Sequence, residues 1–220
     1  MNPLVHGLLG WLIAFIFLKR SKDRRLALIP AVAPDIDGIF VLFSHDMHMT
    51  WHHTFGHTYL FGLPMALAAA ALCKDKKRGF LAAILAFTSH LGMDIIGSNW
   101  VIHPFWPYEG IGFTAATVLP NFIIYDVINV SVIVILLATA YLVTYRCEVS
   151  PFEFLGQKAN SLMVGLYVYP FKHKCQYCGK RAWLACRGCG KKICPEHTGN
   201  VLGQRCKKCL SARNRDIRES

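Results

Sequence analysis

The chain has 220 residues, of which 54% are hydrophobic and 17% charged, with a formal net charge of +11. Its mean hydropathy of +0.34 is high for a soluble globule, and the length has room for one medium domain and a small one. The charge is split: residues 1–150 carry 10 Lys/Arg against 9 Asp/Glu, residues 151–220 carry 14 against 4, and seven of the nine cysteines lie in that basic tail. No internal repeat and no low-complexity stretch is present, which excludes solenoids and arrays.

Five apolar segments follow in chain order, at about residues 3–18, 26–43, 58–73, 79–98 and 122–145, measured against the roughly 20 residues that a membrane span needs. The first and third are short, and Pro30 and Pro34 interrupt the second. The expected fold class is an all-α polytopic membrane protein with about five transmembrane helices and a small C-terminal zinc-binding domain. The competing reading is a soluble all-α protein with buried helices. No cleavable signal peptide is expected, because Lys19 and Arg20 follow the first apolar run rather than precede it.

Basic clusters at residues 19–25 and 74–78 and throughout the tail fall on one side if all five segments cross, as the positive-inside rule requires. The other side then carries the N-terminus and the links 44–57 and 99–121. Trp51, Trp100, Trp106 and Tyr108 in these links suit an interfacial aromatic belt. The expected domains are a membrane-embedded domain over 1–146, a linker or interfacial segment over 147–172, a double zinc module over 173–211 and a charged tail over 212–220. The expected localisation is the cell membrane, multi-pass, with the zinc module in the cytoplasm.

Ionisable side chains at lipid depth are costly, on the order of 2.5–3.5 kcal/mol for Asp, and mark function. His6 lies near the outer end of segment one. Asp35 and Asp37 lie in Pro34-Asp35-Ile36-Asp37-Gly38, where the helix is broken. His53 and His57 are spaced i, i+4 ahead of segment three, and His90 and Asp94 have the same spacing in segment four, so each pair shares a helix face. All converge on one depth beneath the outer surface. Imidazole and carboxylate are the ligand set of catalytic zinc, manganese or iron. His6, Asp35, Asp37, His53, His57, His90 and Asp94 are therefore the expected metal ligands. His52 and His103 are the expected catalytic residues, as ligand, general acid or phosphate contact. His45 and His48 read as solvated loop residues.

These residues, in the order His6, Pro34-Asp35-Ile36-Asp37, His52-His53-Thr54-Phe55-Gly56-His57-Thr58, His90-Leu91-Gly92-Met93-Asp94 and His103-Pro104-Phe105-Trp106-Pro107, resemble the YdjM-like family of LexA-binding, inner-membrane-associated metal-dependent hydrolases. The resemblance covers about residues 1–145. It implies a membrane-bound, phospholipase-like hydrolase. The chain departs from the family pattern at Trp51-His52-His53-Thr54, where imidazole replaces a cationic side chain.

In the tail, Cys175, Cys178, Cys186, Cys189, Cys194, His197, Cys206 and Cys209 supply eight ligands, enough for two tetrahedral structural zinc ions. The short links suit a cross-brace, with Cys175, Cys178, Cys194 and His197 in one site and Cys186, Cys189, Cys206 and Cys209 in the other. Sequential pairing is the alternative. The ligand order resembles B-box and related cross-brace fingers. Thiolate zinc points to a reducing compartment. The basic module is expected to meet anionic lipid or a cytoplasmic protein partner, and nucleic acid less readily.

The expected function is hydrolysis of a phosphate ester at the outer face of the membrane by metal-activated water, the metal being zinc or manganese. The alternatives are a metal or proton carrier, which would need polar residues on both sides of the midplane, and a zinc-dependent membrane sensor.

Overall fold

The computed structural model describes residues 2–52, 54–108, 110–201 and 204–216. Two compact units divide the chain, Met1–Ala138 and Thr139–Ser220.

The first unit is built on an up-and-down bundle of α1 (Pro3–Phe17), α2 (Ser21–Val32), α4 (Tyr59–Leu72) and α5 (Lys76–Gly97). Local sequence sets each end. The Asn2 side chain accepts from the Leu4 N–H and Pro3 opens α1. The Thr58 hydroxyl caps α4 at the Phe61 N–H, and Asp75 caps α5 at the Arg78 N–H. Side-chain oxygens here meet amide donors that the first helical turn leaves unpaired. Pro30 lies inside α2. Beyond Val32 the chain tightens into a 3-10 stretch, Ala33–Leu42, because Pro34 removes an amide donor. The link that follows is not a simple loop. It carries α3 (His45–Trp51), capped by the Ser44 hydroxyl, and a 3-10 turn, Phe55–His57. A π-helical turn, Ile123–Ile128, runs into α6 (Asn129–Cys147).

Packing in this unit is inverted relative to a soluble bundle. Its interior is small: Ala14, Ala27, Ala66, Ala69, Ala82 and Ala83 form the central cluster with Leu18. Large apolar side chains face outward, among them Ile16, Leu60, Leu63, Leu67 and Leu81. Small residues let helix backbones approach where lipid, equally apolar, gives no drive to bury leucine.

Among the described residues two helices are long and apolar enough to cross a membrane, Lys76–Gly97 and Ile123–Cys147. The other three expected spans differ. Segments one and three become helices of 15 and 14 residues, Pro3–Phe17 and Tyr59–Leu72. At 1.5 Å per residue these are about 21–23 Å long, short of the ~30 Å hydrocarbon core. Segment two is displaced: its helix begins at Ser21, five residues earlier than hydropathy places it, and ends at the proline break.

The second unit holds the end of α6, a 3-10 turn Pro151–Leu155, α7 (Gln157–Tyr167), α8 (Tyr169–Lys172) and a small module. In the module β1 (Leu184–Ala185) pairs antiparallel with β2 (Lys192–Ile193), Leu184 facing Ile193. Likewise β3 (Thr198–Asn200) pairs with β4 (Arg205–Cys206) across a register shift, and α9 (Lys207–Asp216) follows. The contents of this unit are bound to the end of α6 by Glu148. His173 Nε2 donates to Glu148 Oε1 at 2.7 Å and Lys192 Nζ donates to Oε2 at 3.0 Å and to the Tyr169 hydroxyl at 2.6 Å. Burial alone would raise the Glu148 carboxyl, but these two donors hold it at about 2. Its contribution is therefore complete above the unfolded value near 4.5 and is lost as pH falls toward 2.

Two mutations test this packing. A Cβ on Gly62 would penetrate the Phe87 ring where α4 crosses α5, so Gly62→Ala should destabilise the bundle by about 1–3 kcal/mol, read as a lower melting temperature in detergent. Glu148→Gln should lower the melting temperature of the second unit at pH 7 with both strand pairs retained. An unchanged melt would contradict the role given to this carboxylate.

Candidate metal centre

Asp94 stands at the centre of the polar cluster, fully buried one turn beyond His90 on α5. Three imidazoles surround its carboxylate. His6 Nε2 lies 3.2 Å from Oδ1, His90 Nε2 3.1 Å from Oδ2 and His57 Nε2 3.3 Å from Oδ2. Asp35 Oδ1 approaches His90 Nε2 at 3.6 Å. One donor atom from each of His6, Asp35, His90 and Asp94 lies within 4.8 Å of all the others. His6, His57 and His90 are fully buried, and the His6 and His90 rings stack at 3.7 Å.

The surrounding backbone fixes which ring nitrogens face inward. His90 Nδ1 donates to the Ala31 carbonyl at 2.7 Å. That carbonyl is open because Pro34, one 3-10 turn on, has no N–H to offer it. His57 Nδ1 donates to Asp37 Oδ2 at 3.1 Å, the carboxylate–histidine pairing that orients metal-bound imidazoles. With both Nδ1 atoms protonated, the Nε2 lone pairs of His57 and His90 face each other at 3.1 Å and both face Asp94. Lone pairs and carboxylate oxygens repel one another unless a proton or a metal cation lies between them.

Orphaned atoms point the same way. His6 Nδ1 and Asp35 Oδ2 are buried without a hydrogen-bond partner among the described residues, a costly state for polar atoms. The separations of 3.1–3.6 Å are those of neighbouring ligands each about 2.1 Å from one ion. The donor atoms of His6, Asp35, His90 and Asp94 therefore fit a divalent cation, and His57 Nε2 lies beside them.

The remaining expected residues fall elsewhere. Asp37 lies just outside the convergent atoms, bridging His57 to His52, whose Nδ1 meets Asp37 Oδ1 at 2.7 Å. Gly56 allows this: a Cβ there would press on the Pro34 carbonyl and on Asp37 Oδ2. His53 lies outside the described residues, and His57 sits in a 3-10 turn. His103 lies in the 99–121 link against Gly112 and makes no hydrogen bond or ion pair with the cluster among the described residues. His48, expected to be a solvated loop residue, lies in α3 and stacks on His52 at 4.6 Å. His48 and His52 line a cavity of about 330 Å³ with Asn2, Ser98, Trp100 and Tyr125. His52 links this cavity to the cluster, since the Asp37 carboxylate it meets also accepts from His57 Nδ1.

The tail residues form two further groups. One joins Cys175, Cys178, Cys194 and His197, and the other Cys186, Cys189, Cys206 and Cys209. The pairing is interleaved, not sequential. Cys178 Sγ lies 3.6 Å from Cys194 Sγ, and Cys189 Sγ lies 3.9 Å from Cys206 Sγ. Sulfurs about 2.3 Å from a tetrahedral zinc lie ~3.8 Å apart. All nine cysteines are free thiols. Burial would push up the Cys175 and Cys186 thiols, but backbone N–H groups of Tyr177, Cys194 and Cys178 around the first, and of Cys206, Cys189 and Gly188 around the second, bring each down to about 6. That favours the thiolate, the form that binds metal.

A helical bundle with alanine inside and leucine outside, closed at one end by a buried His–Asp cluster, defines an integral membrane protein with groups able to hold a metal ion. The chain belongs to the YdjM inner membrane protein family, whose profile matches residues 1–171. The match takes in the whole His–Asp cluster and stops before the cysteine module. No curated protein and no solved structure matches the chain.

Metal analysis separates the three groups. Cys178→Ser and Cys194→Ser should each lose the same single equivalent of zinc, and Cys189→Ser a different one. Loss of the same ion by Cys178→Ser and Cys189→Ser would contradict the interleaved grouping. His90→Ala and Asp94→Ala should leave tail zinc untouched and lose the metal of the bundle.

Proposed function

We propose that the protein is a membrane-bound, metal-dependent hydrolase that cleaves a phosphate ester, phospholipase-like, at the outer face of the membrane. The observation that carries this reading is the buried, mutually facing set of imidazole and carboxylate atoms beside a polar cavity. A divalent cation, zinc or manganese, would supply an acidified water and charge neutralisation at phosphoryl oxygens when bound.

The chain's own residues have separable tasks. His6, Asp35, His57, His90 and Asp94 would hold the cation. Asp37 and the Ala31 carbonyl orient His57 and His90. His52 is fixed at Nδ1 by Asp37 and lines the cavity, so its Nε2 is the atom that would deliver a proton to the leaving oxygen. Trp100 and Tyr125 give the cavity an amphipathic wall suited to a headgroup.

The bundle interior argues against a carrier. Between the His–Asp cluster and the basic turns its described core is alanine and leucine, with no polar relay for an ion. In the proposed topology α1 and α4 run from the outer face inward, α2 and α5 return, and α6 brings the cysteine module to the cytoplasm as a double structural zinc site. The basic turns at residues 19–25 and 74–78 then lie inside.

Two experiments test this. Asp35→Ala, His57→Ala and Asp94→Ala should each abolish divalent-metal-dependent hydrolysis of a phospholipid or lipid-linked phosphate, with helicity near wild type. His52→Ala should lower the rate by about 10²–10⁴-fold, the usual contribution of a general acid, and His45→Ala should have no effect. Full activity in all three ligand variants would refute the hydrolase. In a cysteine-depleted chain, single cysteines at His48 and Trp106 should label from outside and those at Lys76 and Arg213 from inside. Labelling of the His48 and Lys76 positions from one side would refute the topology.

A further inference from the structure

At the end of the bundle opposite the His–Asp cluster, the α1–α2 and α4–α5 turns enclose a cleft of about 560 Å³. Its construction is specific. Asp23 is buried, and the Lys74 N–H donates to Asp23 Oδ2 at 3.4 Å while the Cys73 thiol reaches the Asp23 carbonyl. One carboxylate thus ties the second turn to the start of α2. Arg24 Nη1 donates to the Leu18 and Lys19 carbonyls and sets the shape of the first turn. Gly79 packs on Cys73 with no room for a Cβ, which holds the second turn against α5.

The cations of this cleft exceed its acids. Lys19, Arg20, Lys74, Lys76, Lys77 and Arg78 line it against Asp23 and Asp75 only. Both acids have internal partners: Asp23 as above and with Arg20 at 3.9 Å, Asp75 as the cap of α5 and with Arg78 Nε at 3.5 Å. Lys19, Lys74, Lys76 and Lys77 have no carboxylate partner among the described residues. The cleft also opens on the amide end of the 22-residue α5, whose dipole favours an anion. Phe17 and Leu18 form an apolar wall beside the cations. Cationic pockets between helices at the basic side of a membrane protein suit phosphate headgroups.

We propose that this cleft is a binding site for a phosphate anion, taken as the headgroup of an anionic phospholipid, with Phe17 and Leu18 against the start of its acyl chains. The site is distinct from the His–Asp cluster and independent of the hydrolase reading.

The test is native mass spectrometry of the full chain in neutral detergent, titrated in separate arms with dioctanoyl phosphatidylglycerol, dioctanoyl phosphatidylcholine and inorganic phosphate. Phosphatidylglycerol should bind saturably and phosphatidylcholine should not. The triple variant Lys74→Gln/Lys76→Gln/Lys77→Gln should weaken phosphatidylglycerol by about a hundredfold, each cation being worth about a factor of five. The matching Lys→Arg triple should retain it, which separates lost charge from lost fold. Asp94→Ala should bind like wild type, which separates this site from substrate at the metal cluster. Displacement of the lipid by equimolar inorganic phosphate would keep the anion site and assign it to a soluble phosphate. Equal binding of both lipids, or unchanged affinity in the Gln triple, would overturn the proposal.

Discussion

A single buried carboxylate, Asp94, organises the first unit. It is fully buried and has an imidazole on each of three sides, from α1, from the turn before α4 and from its own helix. Removing an ionised group from water costs several kcal/mol, and the cost is recovered only where partners satisfy it fully. Inward-facing Nε2 lone pairs, as His57 and His90 present when their Nδ1 atoms donate outward, do not satisfy a carboxylate. A divalent cation held among these atoms would. The local irregularities serve the same arrangement. Pro34 ends α2 and releases the Ala31 carbonyl for His90, and Gly56 lets the 3-10 turn that carries His57 settle on Asp37.

The bundle is built to bring that end together at close range. Alanine and glycine along α1, α2, α4 and α5 let the helices approach, and large side chains are left for lipid. Close approach has a functional consequence, since ligand atoms on different helices must meet within a few ångströms. The basic turns at the other end contain no comparable cluster of imidazoles, so the bundle is polar in two chemically different ways at its two ends.

Much of this was legible in the sequence, for physical reasons. Ionisable residues in apolar segments are rare enough that His6, Asp35, His90 and Asp94 stood out singly, and the structure gathers them. Cysteine spacing anticipated the interleaved groups of the tail, because short links leave few geometries. Helix limits were less legible. Hydropathy starts segment two at residue 26, yet α2 begins at Ser21, since Asp23 and Arg24 are buried by hydrogen bonds to the adjoining turns. Periodicity places His57 on a helix face, but it lies in a 3-10 turn. The division between Asp37, which orients, and Asp35, which joins the convergent atoms, depends on side-chain direction after a helix break, and residue spacing does not encode it. The Glu148–His173–Lys192 network had no motif to announce it, because its members lie far apart in the chain.

Imidazole and carboxylate at the closed end of the bundle should bind a divalent cation. X-ray absorption at the manganese edge tests it most directly, since manganese favours oxygen and nitrogen over the thiolates of the tail. The manganese-loaded full chain should show a first shell of nitrogen and oxygen, the outer-shell scattering of coordinated imidazole, and no sulfur. A spectrum of hydrated manganese alone, or one unchanged by Asp94→Ala, would contradict it.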